Sequence, residues 1–121
     1  MINPKPEILQ ALETNQALVS LLGGEKIFWL VAGDAELPYI TYFELTNFDS
    51  EFSDDEATAS SIEIQVDIWT KGNPQKIAEE SDRTMTDLGY YRYGASDLYE
   101  DDTKIFHKVL RYETKKLKGE R

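Results

Sequence analysis

Cysteine is absent from this chain of 121 residues. Without thiols the protein can form neither a disulfide framework nor a thiolate metal site, a composition that fits a reducing compartment. Histidine occurs once, at His107, so a metal site or a catalytic triad would have a single imidazole to use. The longest apolar run, residues 27–32, has six residues, whereas a membrane-spanning helix needs about 20. We therefore expect no membrane segment.

Positive charge is also scarce. The chain has 13 Lys and Arg against 23 Asp and Glu, which gives a formal net charge of -10. An acidic surface repels the phosphate backbone, so we expect no specific binding of nucleic acid. The first six residues lack the basic and then apolar pattern of a secretory signal, and we expect a soluble protein. The length predicts one domain, residues 1–121, with a frayed end at 117–121.

The charges are unevenly distributed. One acidic cluster comprises Asp49, Glu51, Asp54, Asp55 and Glu56, and a second comprises Asp97, Glu100, Asp101 and Asp102. The C-terminal segment is basic and contains Lys115, Lys116, Lys118 and Arg121. Two interpretations stay open at this point: the clusters keep the protein in solution, or they form complementary surfaces between copies or partners.

Hydrophobic periodicity predicts the fold. Every even position from Ile62 to Ile68 is branched and aliphatic, which is typical of a strand with one buried face. Helices are predicted before Gly23 and after Asn73-Pro74, and further strands at 27–31, 39–45, 90–93 and 104–115. Residues 46–58 have no periodicity and are predicted to form a long, mobile hairpin loop, and 97–103 a turn. The order indicates an α+β fold: a mainly antiparallel sheet of about four or five strands with helices packed on one face.

Catalytic motifs are not found. His107 has no nucleophile elbow near it in sequence, and the 49–56 cluster lacks the spacing of a calcium loop. We therefore predict no catalytic residue, no metal site and no cofactor, and a structural or interface role for His107. Aromatic and basic side chains are the candidates for subunit contacts; they are Trp69, Tyr91, Tyr99, Lys115, Lys116 and Lys118.

A family resemblance rests on five short segments in fixed order. They are Leu37-Pro38-Tyr39-Ile40, Val66-Asp67-Ile68-Trp69, Ser81 to Gly89 followed by Tyr90, Asp97-Leu98-Tyr99-Glu100 with Thr103, and His107-Lys108-Val109-Leu110-Arg111-Tyr112. This arrangement resembles the tail completion, or tail-to-head joining, proteins of siphophages and their prophage copies, whose fold is similar to the lambda-type tail terminator.

The resemblance implies a structural protein, not an enzyme. Such proteins form hexameric rings that cap the tail tube and receive the head connector. The implied partners are further copies of the chain, the major tail tube protein and the head-connector protein. The implied location is the virion, after assembly in the host cytoplasm. DNA would pass through the ring without specific binding, and the acidic cluster at Asp49, Glu51, Asp54, Asp55 and Glu56 is the candidate contact with lumen or connector.

Two other hypotheses were weighed on the residues. A small monomeric inhibitor that mimics DNA is the alternative, but it needs its carboxylates along one rigid face, and here many lie in predicted loops. An enzyme that uses loop carboxylates and a divalent metal is the third hypothesis, and flexible loops do not give the fixed geometry that catalysis needs. Light scattering of the purified protein would separate a ring from a monomer.

Overall fold

A computed structural model describes residues 1–54 and 56–117. Three helices and five strands follow one another along the chain. The helices are α1 (Lys5–Thr14), α2 (Gln16–Leu22) and α3 (Gln75–Asp87). The strands are β1 (Ile27–Trp29), β2 (Tyr39–Ser53), β3 (Glu56–Thr70), β4 (Tyr91–Glu100) and β5 (Ile105–Leu117).

The strands form one sheet in the order β1-β2-β3-β5-β4. The pairs β2–β3, β3–β5 and β5–β4 are antiparallel, and β1 pairs parallel to β2. The predicted α+β fold with a mainly antiparallel sheet is confirmed, and the parallel pair makes the sheet mixed. None of the described helices is long and apolar enough to span a membrane.

The core lies between the helices and one face of the sheet. The even positions of β3 predicted to be buried, from Ile62 to Ile68, are all fully buried, as are Leu12 and Leu18 of the helices. In β3 alternate side chains point to opposite faces, so this row meets the helices and the odd-numbered row faces away from them. The other face of the sheet is not covered by a described helix.

Local signals in the sequence set several helix ends. Asn15 caps α2, because its side chain accepts a hydrogen bond from the backbone N–H of Leu18 at 3.0 Å. Gly23 ends α2 with a left-handed backbone, φ 77°. Asn73 accepts from the backbone N–H of Gln75 at 2.9 Å at the start of α3, as the Asn73-Pro74 pair predicted.

The prediction of a long loop at 46–58 is wrong. β2 extends to Ser53 and β3 starts at Glu56, so most of this segment is paired as strands. The pairing contains register shifts between Glu44 and Thr46 and between Asp49 and Glu51, which break the period-two alternation in the sequence. The predicted turn at 97–103 is shorter than expected, because β4 continues to Glu100. The predicted frayed end lies outside the described residues except for Leu117, which belongs to β5.

Candidate assembly surface

Both sides of the sheet end in open edges. β1 pairs with Ile40, Thr41 and Tyr42 of β2 alone. In the described part of the chain, no strand lies beside the outer edge of β2 beyond Tyr42. β4 is the other edge strand, and its outer side also lacks a neighbour among the described residues. An open edge presents unpaired backbone N–H and C=O groups that another chain can pair with.

The β4 edge carries exposed aromatic and aliphatic side chains. Tyr91 is 71% exposed, and Tyr93, Leu98 and Tyr99 are also exposed. Of the four tyrosines between positions 90 and 99, Tyr90 alone is buried. β4 contains no proline and no lysine, the residues that commonly prevent pairing at an edge, although it has one bulge next to Arg92. This edge is therefore suited to contact another protein surface.

Two of the three charged side chains of β4 pair with their own chain. Arg92 Nε lies 3.0 Å from Asp82 Oδ1 on α3, and Asp97 Oδ1 lies 3.0 Å from Lys108 Nζ on β5. The third, Glu100, is exposed at the end of the strand. The exposed surface of β4 is therefore tyrosine-rich, with acidic side chains towards its end.

An aromatic row crosses the sheet face that lacks helices. Ring centroids lie 6.4 Å apart between Phe28 and Tyr39, 6.4 Å between Tyr39 and Trp69, and 3.6 Å between Trp69 and His107, which are stacked. Trp69 Nε1 also donates to Thr41 Oγ1 at 3.0 Å. The structure therefore places Trp69, a candidate subunit contact, in an intramolecular row where it is half-buried. His107 has a structural position in the same row.

Asp67 is the buried acid of this face, with 3% of its surface exposed. Its Oδ1 accepts from Gln65 Nε2 at 2.9 Å and lies 2.7 Å from His107 Nε2. A buried carboxylate is costly unless it is hydrogen-bonded, and these two partners satisfy it. This pair could not be predicted from the sequence, because Asp67 and His107 are 40 residues apart.

The acidic cluster lies on the hairpin formed by β2 and β3. Asp49 accepts from Ser60 Oγ at 3.4 Å, and Glu51 Oε1 lies 2.6 Å from Lys115 Nζ. Asp54 and Glu56 are exposed at the hairpin end, and Asp55 lies outside the described residues. Sequence reasoning missed two exposed aromatic residues of this hairpin, Phe48 and Phe52. Both lie among acidic residues in a segment without hydrophobic periodicity, so no pattern in the sequence indicated their exposure.

The candidate interface lysines contact their own chain. Lys115 pairs with Glu51, and Lys116 Nζ lies 3.0 Å from Glu7 Oε1 and 5.8 Å above the ring of Tyr90. Lys118 lies outside the described residues. The structure therefore brings the acidic hairpin and Lys115 together within one molecule. Tyr91 is exposed at the β4 edge, and Tyr99 is half-exposed, with its ring centroid 4.8 Å from that of Phe106.

Titratable groups with shifted pKa values are tyrosines. Burial raises the pKa of Tyr112, and the hydrogen bond from its hydroxyl to Asp82 Oδ1 at 2.8 Å adds to the rise. Burial also raises the pKa of Tyr90 and Tyr42. Within residues 1–54 and 56–117 no group of three or more histidine and acidic side chains is placed to hold a metal ion.

Comparison with known families agrees with this geometry. The sequence model of the family described as tail completion protein gp17 matches residues 6–115. The chain belongs to this family. It is therefore a structural protein of the phage tail, and the resemblance found in the sequence is confirmed.

The similarity of fold extends to a solved structure. A chain from a structure described as "Virion of native gene transfer agent (GTA) particle" has the same fold, with a TM-score of 0.64 and 12% sequence identity over 91% of both chains. No curated protein matches this sequence. At this identity the comparison shows that the tail completion protein and the virion chain share a fold. The side chains at the sheet edges and on the hairpin belong to this chain's own sequence.

Proposed function

We propose that this chain forms an oligomeric ring, hexameric as in the tail completion proteins it resembles, that caps the tail tube and joins the tail to the head. Family membership supports a place in the tail. The observation that carries the ring itself is the β4 edge, with Tyr91, Leu98 and Tyr99 exposed beside an unpaired backbone.

A ring uses both edges of the sheet. β1 with the outer edge of β2 lies on one side of the molecule, and β4 lies on the other. An interface that joins two different surfaces of identical subunits closes into a ring when the rotation between them is an integer fraction of a turn. Closure leaves no edge exposed, which removes the tendency of open edges to pair without control.

The acidic hairpin is the proposed contact with the lumen or the connector. Its side chains Asp49, Glu51, Asp54, Asp55 and Glu56 carry charge of one sign, offset by Lys115 at Glu51. A negative lumen would let DNA pass without the counterion release that binding requires. The proposed partners are the major tail tube protein and the head-connector protein. The proposed location is the virion, after assembly in the host cytoplasm.

We further infer a non-enzymatic protein of one domain, residues 1–121, that works without cofactor or metal. The alternative, a monomeric mimic of DNA, has less support. Mimicry requires free carboxylates along one face, whereas Glu51, Asp82 and Asp97 each pair with a base of their own chain.

A charge placed on the β4 edge tests the ring. Tyr91→Lys puts a lysine on the most exposed tyrosine of β4, and Thr86→Lys makes the matched change on the exposed side of α3. Native mass spectrometry and electron microscopy of the protein alone, and of tails made without it and then supplied with it, measure ring formation. We expect rings from the wild type and Thr86→Lys, and monomers from Tyr91→Lys. Wild-type protein that stays monomeric in solution and on tails would refute the proposal.

A further inference from the structure

An exposed apolar segment lies at the β1 edge. Trp29, Leu30 and Val31, called here the edge knob, are 55%, 52% and 72% exposed. In a strand with one buried face, every second side chain is buried. Three consecutive exposed apolar residues depart from this pattern. Lys5 Nζ lies 5.4 Å from the centre of the Trp29 ring, and more than half of each of the three residues stays exposed.

The backbone of the edge knob is strained. Leu30 has φ 68°, in the left-handed region that glycine prefers. Two short hydrogen bonds hold this conformation: Leu30 N–H donates to Tyr42 O at 2.9 Å, and Val31 N–H donates to Trp29 O at 2.7 Å. Strained backbone in folded proteins concentrates at functional sites, because the strain persists only where the structure needs it. Strain at Leu30 and exposure of all three residues are separate observations, and both fall on the same short segment.

A groove of about 580 Å³ lies near the opposite edge of the sheet. The segment from Lys71 to Gln75 forms one wall, and Leu98 of β4 and Phe106 of β5 form the other. Leu98 and Phe106 are both exposed large apolar side chains. These two side chains give the groove one apolar side that can receive aliphatic side chains, whereas the segment from Lys71 to Gln75 is polar and Asp97 and His107 also line the groove.

The edge knob and the groove lie towards opposite ends of the strands. A cross-strand row runs from Ile27 in β1 through Ile40, Ile68 and Lys108 to Asp97 in β4. The edge knob begins two residues after Ile27 and Leu98 is one residue after Asp97, but β1 and β4 run in opposite directions, so the two features lie on opposite sides of this row. A head-to-tail ring brings them together when its strands are inclined to the ring axis, as the strands of a closed barrel are.

Charge complementarity identifies the occupant as a second copy. Asp34 and Glu36 follow the edge knob and are exposed. Lys71 lines the groove and is exposed, and the exposed Lys76 lies in the first turn of α3. Among the described residues, none of these four side chains forms an ion pair. Asp97, which also lines the groove, is paired with Lys108. When the edge knob of one copy enters the groove of the next, the two free acids approach the two free lysines, and opposite charges then fix the register.

We propose that the edge knob of each copy seats in the groove between β4–β5 and the start of α3 of the neighbouring copy. This inference rests on the proposed ring and assigns the two surfaces that join its subunits. Leu30 and Val31 contact Leu98 and Phe106 of the neighbour, and the acidic residues that follow lie against Lys71.

Introduced cysteines test the contact, because the chain has none of its own. The double variant Val31→Cys with Leu98→Cys is oxidised, or treated with a short bis-maleimide, and run on a denaturing gel without reductant. We expect a ladder of covalent oligomers that ends at the ring. A mixture of the two single variants should stop at covalent dimers. The matched control, Val31→Cys with Thr86→Cys, should give no ladder.

The outcomes separate this inference from the proposed function. Rings seen by native mass spectrometry without a ladder from the Val31–Leu98 pair would overturn the assigned contact and leave the ring intact. Cross-links from Val31→Cys to the tube protein in assembled tails would also overturn it. Absence of rings in solution and on tails overturns both proposals.

Charge reversal gives a second readout. Lys71→Asp should weaken the association of subunits by about two- to fivefold, the range for a surface ion pair. Adding Asp34→Lys to the same chain should restore the association, because the pair is then reversed. If the effects of the two single changes simply add in the double variant, so that its association is weaker still, the proposed pairing is wrong.

Discussion

Replacing Leu30 with glycine separates folding from assembly. An L-residue in the left-handed conformation is strained by about 1–2 kcal/mol, and glycine removes this strain at φ 68°. The glycine variant also loses about 0.5–1 kcal/mol of stability, because glycine gives the unfolded chain more conformational entropy. Burial of roughly half of a leucine side chain contributes about 1 kcal/mol, which Leu30→Gly gives up. The three contributions nearly cancel, so we expect the free energy of unfolding to change by less than about 1 kcal/mol.

The assay compares two variants of one edge. Urea unfolding of the monomer measures stability, and native mass spectrometry measures ring formation. Leu30→Gly should fold as stably as the wild type and fail to form rings. Ile27→Ala, in the adjoining strand β1 and buried in the core, should lose about 2–5 kcal/mol of stability. A loss above about 2 kcal/mol for Leu30→Gly would mean that this side chain supports the fold. Normal rings from a stable Leu30→Gly would refute the contact.

Three further predictions concern stability, measured by urea or thermal unfolding. Tyr112→Phe should lose about 1–2 kcal/mol with the hydrogen bond to Asp82. Because burial raises the pKa of Tyr112, its contribution is full below the ordinary tyrosine pKa and is lost as pH rises further, so the variant should show a smaller alkaline loss. Lys115→Ala should lose less than about 1 kcal/mol, since its ion pair is exposed. Asp67→Ala should lose about 3 kcal/mol by leaving His107 unpaired, and Asp67→Asn less; equal losses would contradict this account.

The buried face of the sheet and the end of a helix could be predicted from the sequence. The aliphatic positions of β3 follow a period of two without interruption, and Gly23 ends a helix by its own backbone preference. These signals are local, so tertiary context was not needed to interpret them. The hairpin was misread because its alternation depends on pairing with bulges, which only the partner strand reveals.

The candidate surfaces were only partly predictable. Tyr91 and Tyr99 were chosen as interface candidates for their residue type, and the structure exposes both. Trp69 was chosen for the same reason, but it stacks on His107, a contact that depends on the register between β3 and β5. The edge knob was read as the end of a strand at 27–31. No pattern in the sequence predicts that Leu30 takes a left-handed backbone and ends the strand at Trp29.

Net charge and open edges act in opposite directions on assembly. A charge of -10 on each copy makes copies repel one another over the Debye length, about 8–10 Å at physiological salt. Unpaired strand edges attract any exposed backbone at contact distance. Repulsion therefore blocks unspecific pairing, and an approach succeeds where local charge is reversed. Lys71 provides such a place, since it lines the groove opposite Leu98 and Phe106, so the same acidic composition that keeps subunits apart also selects how they meet.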